Sequence, residues 1–383
     1  MKRLSNIWYK NSFNKKFSLS EKYFFIILCF LEFFYKIGFH FILFLKKNKS
    51  KPILPFKVIS VGNLSAGGTG KSVFVQFLAN NLLNQKTECA VVLRGYKSKI
   101  EKSKKSFLIS DFIFNKKQIF CDTIFCGDEA FMLAQNLQVP VVVGKNRYKS
   151  CLLLKNKNIK TVILDDAYQN FSVNKDFEIL LLDAKKPFEN HHCLPAGKLR
   201  EKDYSRADAI ILTHADKISH NQLQNIKNNY FKNFNKDFIF AGKHSTDSLS
   251  ENLINSENLQ SKIIDIQKFE NKKLLAFAGI GSFEYFLSSL NFCNLKISKA
   301  LEYTDHYNYS EKDLILIFNL IKKNNLNGAI TTQKDWYKIL PIIKKIKNYH
   351  QALMPIYVLN ISFEFLSKKE HNNFVKVLSE KMV

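Results

Sequence analysis

The apolar positions fall into two regimes that meet at Pro52. Before it, residues 23–45, YFFIILCFLEFFYKIGFHFILFL, form the most hydrophobic stretch of the chain, near the roughly 20 residues a membrane-spanning helix needs. Three polar positions interrupt the run. Glu32, Lys36 and His40 recur every four residues, share one helix face and allow an (i, i+4) ion pair. Lys15, Lys16 and Lys22 precede the stretch, and Lys46, Lys47, Lys49 and Lys51 follow it. Both ends are therefore positive, whereas a single span is usually asymmetric in Lys/Arg and avoids a central Glu. The pattern predicts a helix lying in the interface of an anionic membrane, with a helix packed on the soluble core as the alternative. A cleavable signal peptide does not fit, because the apolar stretch is too long and no small-residue cleavage site follows.

Beyond Pro52 and Pro55, short apolar runs alternate with helix-like segments. Strands are expected at Lys57–Val61, Cys89–Leu93, Val141–Val143, Thr161–Leu164, Glu178–Leu182 and Ala209–Leu212. Several of these runs are continuous rather than alternating, as in a parallel sheet covered on both faces. Residues 241–272 are polar, rich in Asn, Ser and Lys and short of apolar periodicity, and read as a linker or excursion. A second αβ series follows, with strands at Lys273–Ala278, Gly328–Thr331 and Pro355–Leu359 and helices at Phe283–Leu290 and Leu314–Ile321. The expected organisation is a basic N-terminal segment (1–51), an α/β core (52–240), a linker (241–272) and a smaller α/β domain (273–383).

Composition changes this picture little. The 383 residues suffice for two domains, and a 46% hydrophobic content argues against disorder. The net charge of +25 suits acidic partners, but residues 1–51 hold only +9 of it, so the basic character is spread along the chain. No nucleic-acid-binding motif accompanies it. Seven cysteines form no C-x-x-C pair and no Cys/His set at zinc-site spacing, which fits a reduced, cytosolic protein.

The strongest chemical signal is Val61-Gly62-Asn63-Leu64-Ser65-Ala66-Gly67-Gly68-Thr69-Gly70-Lys71-Ser72, set between a strand and a helix. In a phosphate loop, glycines let successive N–H groups curl around phosphate oxygens, Lys71 reaches the β and γ phosphates, and the Ser72 hydroxyl meets Mg²⁺. The pattern G-x-x-x-x-G-K-[ST] wants Gly at 65, where this chain has Ser65. Thr161–Leu164 ends in Asp165 and Asp166, the arrangement by which such proteins hold Mg²⁺ opposite the loop hydroxyl. Gly127-Asp128-Glu129-Ala130 opens a helix-like segment, where the acids can serve as caps. His191-His192-Cys193 suggests a metal site, but neighbouring side chains diverge and no further ligand stands at a usual spacing, so they read as solvated loop residues.

Together, VGNLSAGGTGKS, LRGY, GDEA, GKNR, LDDAYQNF, LPAGKLRE, FAGIGSFEYF, YTDHYNY and TTQKD resemble the tetraacyldisaccharide 4′-kinase family over most of the chain. This family's loop is built around G-G-T-G-K, which accommodates Ser65. Ala167 and Asn170 stand where the family usually has Gly and His, Ala130 where it has Pro, and Lys97 and Ser98 follow the Arg-Gly-Tyr without the family's second Gly. The resemblance implies a P-loop NTPase-type α/β fold, a mostly parallel sheet with flanking helices, an N-terminal membrane-associating helix and a second, smaller α/β domain. It implies transfer of the ATP γ-phosphoryl group to the 4′-hydroxyl of a lipid A disaccharide 1-phosphate, by a monomer on the cytoplasmic face of a bacterial inner membrane. Residues 65–72 would hold ATP, and Ser72 with Asp165 or Asp166 would hold Mg²⁺. Asp128 would be the general base on the sugar hydroxyl, with His306 tuning or relaying its proton. Tyr96, Glu129, Arg147, Asn170, Arg200 and Glu201 become candidates for substrate or phosphate contact. The loop and His306 lie in different halves of the chain, which predicts hinge closure around the reaction. A P-loop ATPase or switch of the partitioning or metal-insertion kind would use the same loop, but needs neither a lipid-facing helix nor an Asp–His pair.

Overall fold

The computed structural model describes residues 18–47, 51–110, 122–254, 259–269, 271–347 and 354–382. Lys15, Lys16, Lys49 and Cys121 lie outside the described residues. The N-terminal apolar run is one helix, Leu19–Lys47, about 43 Å long at 1.5 Å per residue. It is long and apolar enough to cross a membrane by length and composition. Only a narrow stripe of it meets the rest of the protein. Leu28 and Glu32 are buried and the Tyr35 hydroxyl donates to the Arg200 carbonyl at 3.0 Å, while Ile26, Phe30, Phe33, Phe41 and Phe44 stand out in solvent. The ion pair expected along this face forms, Lys36 Nζ to Glu32 Oε1 at 2.6 Å.

The remaining elements build one thirteen-stranded sheet among the described residues. Its first part contains β1 (Lys57–Gly62), β2 (Cys89–Leu93), β3 (Ser106–Leu108), β4 (Val141–Gly144), β5 (Thr161–Asp165), β6 (Phe177–Asp183) and β7 (Ala209–Thr213). Their order is β7-β6-β1-β5-β2-β4-β3, all parallel except the edge strand β3. The continuous runs read from the sequence are those buried on both faces: every residue of β2, β5 and β7 is buried. Helix Lys71–Asn84 covers the sheet through Phe74, Val75, Leu78, Ala79 and Leu82.

The second part contains β8 (Ile239–Ile254), β9 (Leu259–Ile264), β10 (Lys273–Ala278), β11 (Lys296–Glu302), β12 (Gly328–Thr332) and β13 (Ile356–Phe365). Here the structure departs from expectation: residues 241–272 carry β8, β9 and a short 3-10 turn. β8 pairs parallel to β7 over Ile239–Ala241, then antiparallel to β13 from Gly242 to Glu251, so one strand joins both halves of the sheet. β9 folds back on it as an antiparallel partner. Backbone ladders hold this ribbon, so its polar side chains left no hydrophobic period to read. The chain end also returns to the first core. Phe374 and Leu378 of helix Lys368–Met382, with Phe363 and Phe365 of β13, pack around Phe74, whose ring meets Phe363 at 4.9 Å.

Candidate functional site

The phosphate loop leaves β1 and enters helix Lys71–Asn84 through Gly70, which has φ +78° and no side-chain cap. A side chain there would be strained and would strike the His244 ring of β8. The first-turn N–H groups are thus left for an anion. Positions 67 and 68 have no atom within 4 Å of where a Cβ would stand, so their backbone is open to a ligand. The loop is braced from behind: Ala66 N–H donates to Lys198 O at 2.7 Å, Arg200 N–H to Leu64 O at 2.7 Å, and Asn63 Nδ2 to Thr69 Oγ1 at 3.2 Å. Ser65 is buried in this brace, bridged to Leu199, while Ala66 to Ser72 line the open cleft.

Neighbouring β5 delivers the two carboxylates. Asp166, at φ +48°, lies 3.5 Å from Lys71 Nζ and takes Arg200 Nη1 at 3.1 Å and Nη2 at 3.2 Å. Burial pushes its pKa up, but Lys71 and Arg200 more than offset this and hold it well below the usual carboxylate range. Asp165 differs. It is 3% exposed, its Oδ1 has no hydrogen-bond partner, and burial beside Glu129 and Asp166 pushes its pKa up to about 7. An unpaired buried carboxylate oxygen beside a phosphate loop is the donor a hard divalent cation takes. Arg147 secures the strand end from below, donating to Gly144 O and Asp165 O, each at 2.9 Å. Burial lowers its pKa to about 10.

Across the cleft, Asp128 opens helix Asp128–Asn136, but Gly127 occupies the cap position. The Asp128 carboxylate instead meets His306 Nδ1 at 3.0 Å, a contact between residues 178 apart in sequence. Tyr96 sets its ring edge-on to His306 at 5.4 Å. Two further cations converge here that sequence reasoning did not assign to the site. Lys338 Nζ is 3.2 Å from Asp128 and Lys334 Nζ is 3.7 Å away, with Lys334 also 3.5 Å from Glu129. Both rise from helix Gln333–Lys347, four residues apart and hence on one face. Burial raises the Asp128 pKa, yet the His306 hydrogen bond and the two lysines more than reverse this, holding the carboxyl well below its ordinary range.

One cleft of about 1850 Å³ connects these groups. Its walls include the loop, Asp165, Asp166, Tyr96, Asp128, Glu129, Arg147, Asn170, Arg200 and His306, and also Tyr35 and Phe39 of the N-terminal helix. Asn170 additionally closes a local turn by accepting from Ser172 N–H at 3.0 Å. Glu201 is not brought to the cleft wall: it is buried and held by Arg206 at 2.8 Å and Gln169 at 3.0 Å. His192, read as solvated, instead reaches Glu32 of the N-terminal helix, Nδ1 to Oε2 at 2.7 Å.

A parallel sheet carrying a glycine-rich loop between strand and uncapped helix, with paired carboxylates on the adjacent strand end, defines a P-loop protein. Comparison with known proteins is more particular. The family model of tetraacyldisaccharide-1-P 4′-kinase matches residues 24–382, and the chain belongs to this family. The tetraacyldisaccharide 4′-kinase of Halothermothrix orenii is 32% identical over 312 residues, 80% of this chain and 79% of that relative. The Aquifex aeolicus enzyme is 36% identical over 274 residues, 70% of this chain and 76% of the relative. A crystal structure of Aquifex aeolicus LpxK in complex with ATP aligns with TM-score 0.66 and 27% identity, covering 92% of this chain and 98% of that one.

Proposed function

We propose that the protein transfers the γ-phosphoryl group of ATP to the 4′-hydroxyl of a lipid A disaccharide 1-phosphate at a membrane surface. The observation that carries this reading is the shared cleft: the phosphate loop and the Asp128–His306 pair face one space, and residues of the apolar N-terminal helix line the same space.

Lys71 and the loop amides hold the β and γ phosphates, with the uncapped helix N-terminus adding its dipole. Ser72, Asp165 and Asp166 are the groups that would hold Mg²⁺, which when bound neutralises charge on the phosphates. Arg200 is already committed to Asp166 and fixes that carboxylate beside Lys71. The sugar oxygen bonds to the γ phosphorus as the bond to the bridging β–γ oxygen breaks and ADP leaves. The hydroxyl proton passes to Asp128. A carboxylate held so acidic is ionised at every working pH but retains a proton poorly; the Nδ1 contact lets His306 tune or relay it. Base assistance of this kind contributes roughly 10²–10⁴-fold.

The helix fits an interfacial placement. Its middle is docked on the protein through Leu28, Glu32 and Tyr35, which keeps that portion at the protein surface, while the remaining faces offer aromatic and aliphatic side chains to lipid. Lysines at its ends suit anionic headgroups. The test is to incubate the protein with γ-labelled ATP and Mg²⁺, with and without the disaccharide acceptor in mixed micelles. Label is expected in the acceptor; label confined to ATP and free phosphate would leave only an ATPase.

A further inference from the structure

Where the N-terminal helix docks on the core, three side chains of metal-ligating type converge. Cys29 and Glu32 are one helical turn apart, and His192 comes from the loop that follows β6; one ligand atom of each lies within 4.8 Å of the others. His192 Nδ1 is 2.7 Å from Glu32 Oε2 and 4.0 Å from Cys29 Sγ. From the geometry we infer a binding site for a thiophilic divalent cation of the zinc type, with Cys29 Sγ, Glu32 Oε2 and His192 Nδ1 as ligands and a solvent position left open.

The donor set and its surroundings fit. Tetrahedral zinc bonds of about 2.0–2.3 Å place a sulfur and a nitrogen ligand about 3.6 Å apart and a nitrogen and an oxygen about 3.4 Å apart. His192 Nδ1 and Cys29 Sγ then close by about 0.4 Å, Nδ1 and Glu32 Oε2 open by about 0.7 Å, and Sγ and Oε2, within 4.8 Å of each other, close to about 3.6 Å, shifts that side-chain rotation supplies. Glu32 is oriented for the task. Its Oε1 takes the Cys193 N–H at 2.8 Å and the Lys36 ammonium at 2.6 Å, which leaves Oε2 turned to His192. Such outer contacts fix a ligating carboxylate. Phe25 packs edge-on against the His192 ring at 5.2 Å, and Leu28, Ala196 and Phe24 surround the cluster, while the His192 side chain keeps 34% exposure, enough for an ion to enter. Binding displaces the Cys29 thiol proton, and any proton on His192 Nδ1, to solvent. Two anionic ligands then balance the dication, with Lys36 outside the set. Oxygen-seeking Mg²⁺ is a poor match for this donor set, which keeps the site distinct from the one at Asp165.

The site lies at a joint. His192 O accepts from Leu199 N–H at 3.2 Å, and Leu199 is bridged to Ser65, in the brace behind the phosphate loop. A cation there would fasten the N-terminal helix to the segment that supports nucleotide binding.

The full chain, purified in mild detergent without a polyhistidine tag, is loaded with Zn²⁺, desalted and assayed for metal by mass spectrometry; Co²⁺ is then substituted as a spectroscopic probe. One equivalent of zinc is expected, with a thiolate-to-cobalt charge-transfer band in the near ultraviolet. Cys29→Ser should abolish that band and, like His192→Asn, weaken zinc affinity about tenfold or more in competition with a chromophoric chelator. Wild-type protein that retains no zinc after desalting, or a cobalt spectrum without a thiolate band, would overturn the assignment, as would unchanged affinity in folded Cys29→Ser and His192→Asn. The cluster would then be no more than the ion pair that tethers the helix.

Discussion

Asp165 and Asp128 are both buried carboxylates on one cleft, yet their surroundings drive them in opposite directions. Asp165 has an oxygen with no partner and two acidic neighbours, and its pKa rises to about 7. Asp128 has an imidazole and two ammonium groups within 4 Å, and stays ionised far into acid. Under the roles proposed for them, the difference matches what each is to meet. A carboxylate awaiting a dication is left uncompensated, and the protein bears the cost until the ion arrives; one awaiting a proton is supplied with cations that keep it charged.

Removing the uncompensated charge should expose that cost. Asp165→Asn is expected to lower turnover on the order of 10²–10³-fold, and at the same time to stabilise the nucleotide-free protein by about 1–3 kcal/mol, read by denaturant unfolding near pH 8. The sign comes from the raised folded value. Between the ordinary aspartate value of 3.8 and about 7 the folded state binds the extra proton, so stability falls as pH rises through that window and levels off above it. The substituted protein should lose this slope; a variant less stable than wild type at pH 8 would mean Asp165 is already satisfied.

Removing a cation from the other carboxylate acts on its acidity. Lys334→Met should raise the Asp128 pKa, read from the Asp128 carboxyl resonance in an NMR titration carried down to the acid limit of folding, and should lower kcat/KM about tenfold, while Lys334→Arg keeps the wild-type behaviour. An Asp128 titration unmoved in Lys334→Met would make Lys334 structural. Smaller effects are expected elsewhere. Affinity for Mg²⁺ with ATP, measured by calorimetry, should weaken below about pH 7 in wild type because Asp165 takes up a proton, and Asp165→Asn should lack that dependence. Serine at Ile26, Phe30 and Phe33, all exposed, should reduce partition onto anionic vesicles several-fold while leaving Glu32 docked. Unchanged partition would remove the interfacial reading.

The two carboxylates also differ in how much of their setting the sequence disclosed. Lys71, Ser72, Asp165 and Asp166 sit on one strand–loop–helix unit and its neighbouring strand, so local pattern was enough. Nothing local separates Asp128 from a helix cap; its meeting with His306 spans 178 positions and entered only through resemblance to a family. Lys334 and Lys338 fall four apart beside Asp335, a helix-face signal that is visible but common among surface lysines. Glu32 pairs with Lys36 as its spacing suggests, whereas its contacts with His192 and Cys193 depend on a docking 160 residues away. The strands buried on both faces were legible for the same reason that β8, β9 and the exposed edge strand β11 were not: hydrophobic runs report burial, and ribbons held by backbone ladders carry no such mark.

The most direct test of the account is single-turnover transfer from γ-labelled ATP to the disaccharide acceptor in wild type and Asp128→Asn, with ATP affinity measured alongside. Affinity is expected to be unchanged and the transfer rate lower by roughly 10²–10⁴-fold in the variant. Transfer at the wild-type rate would contradict it.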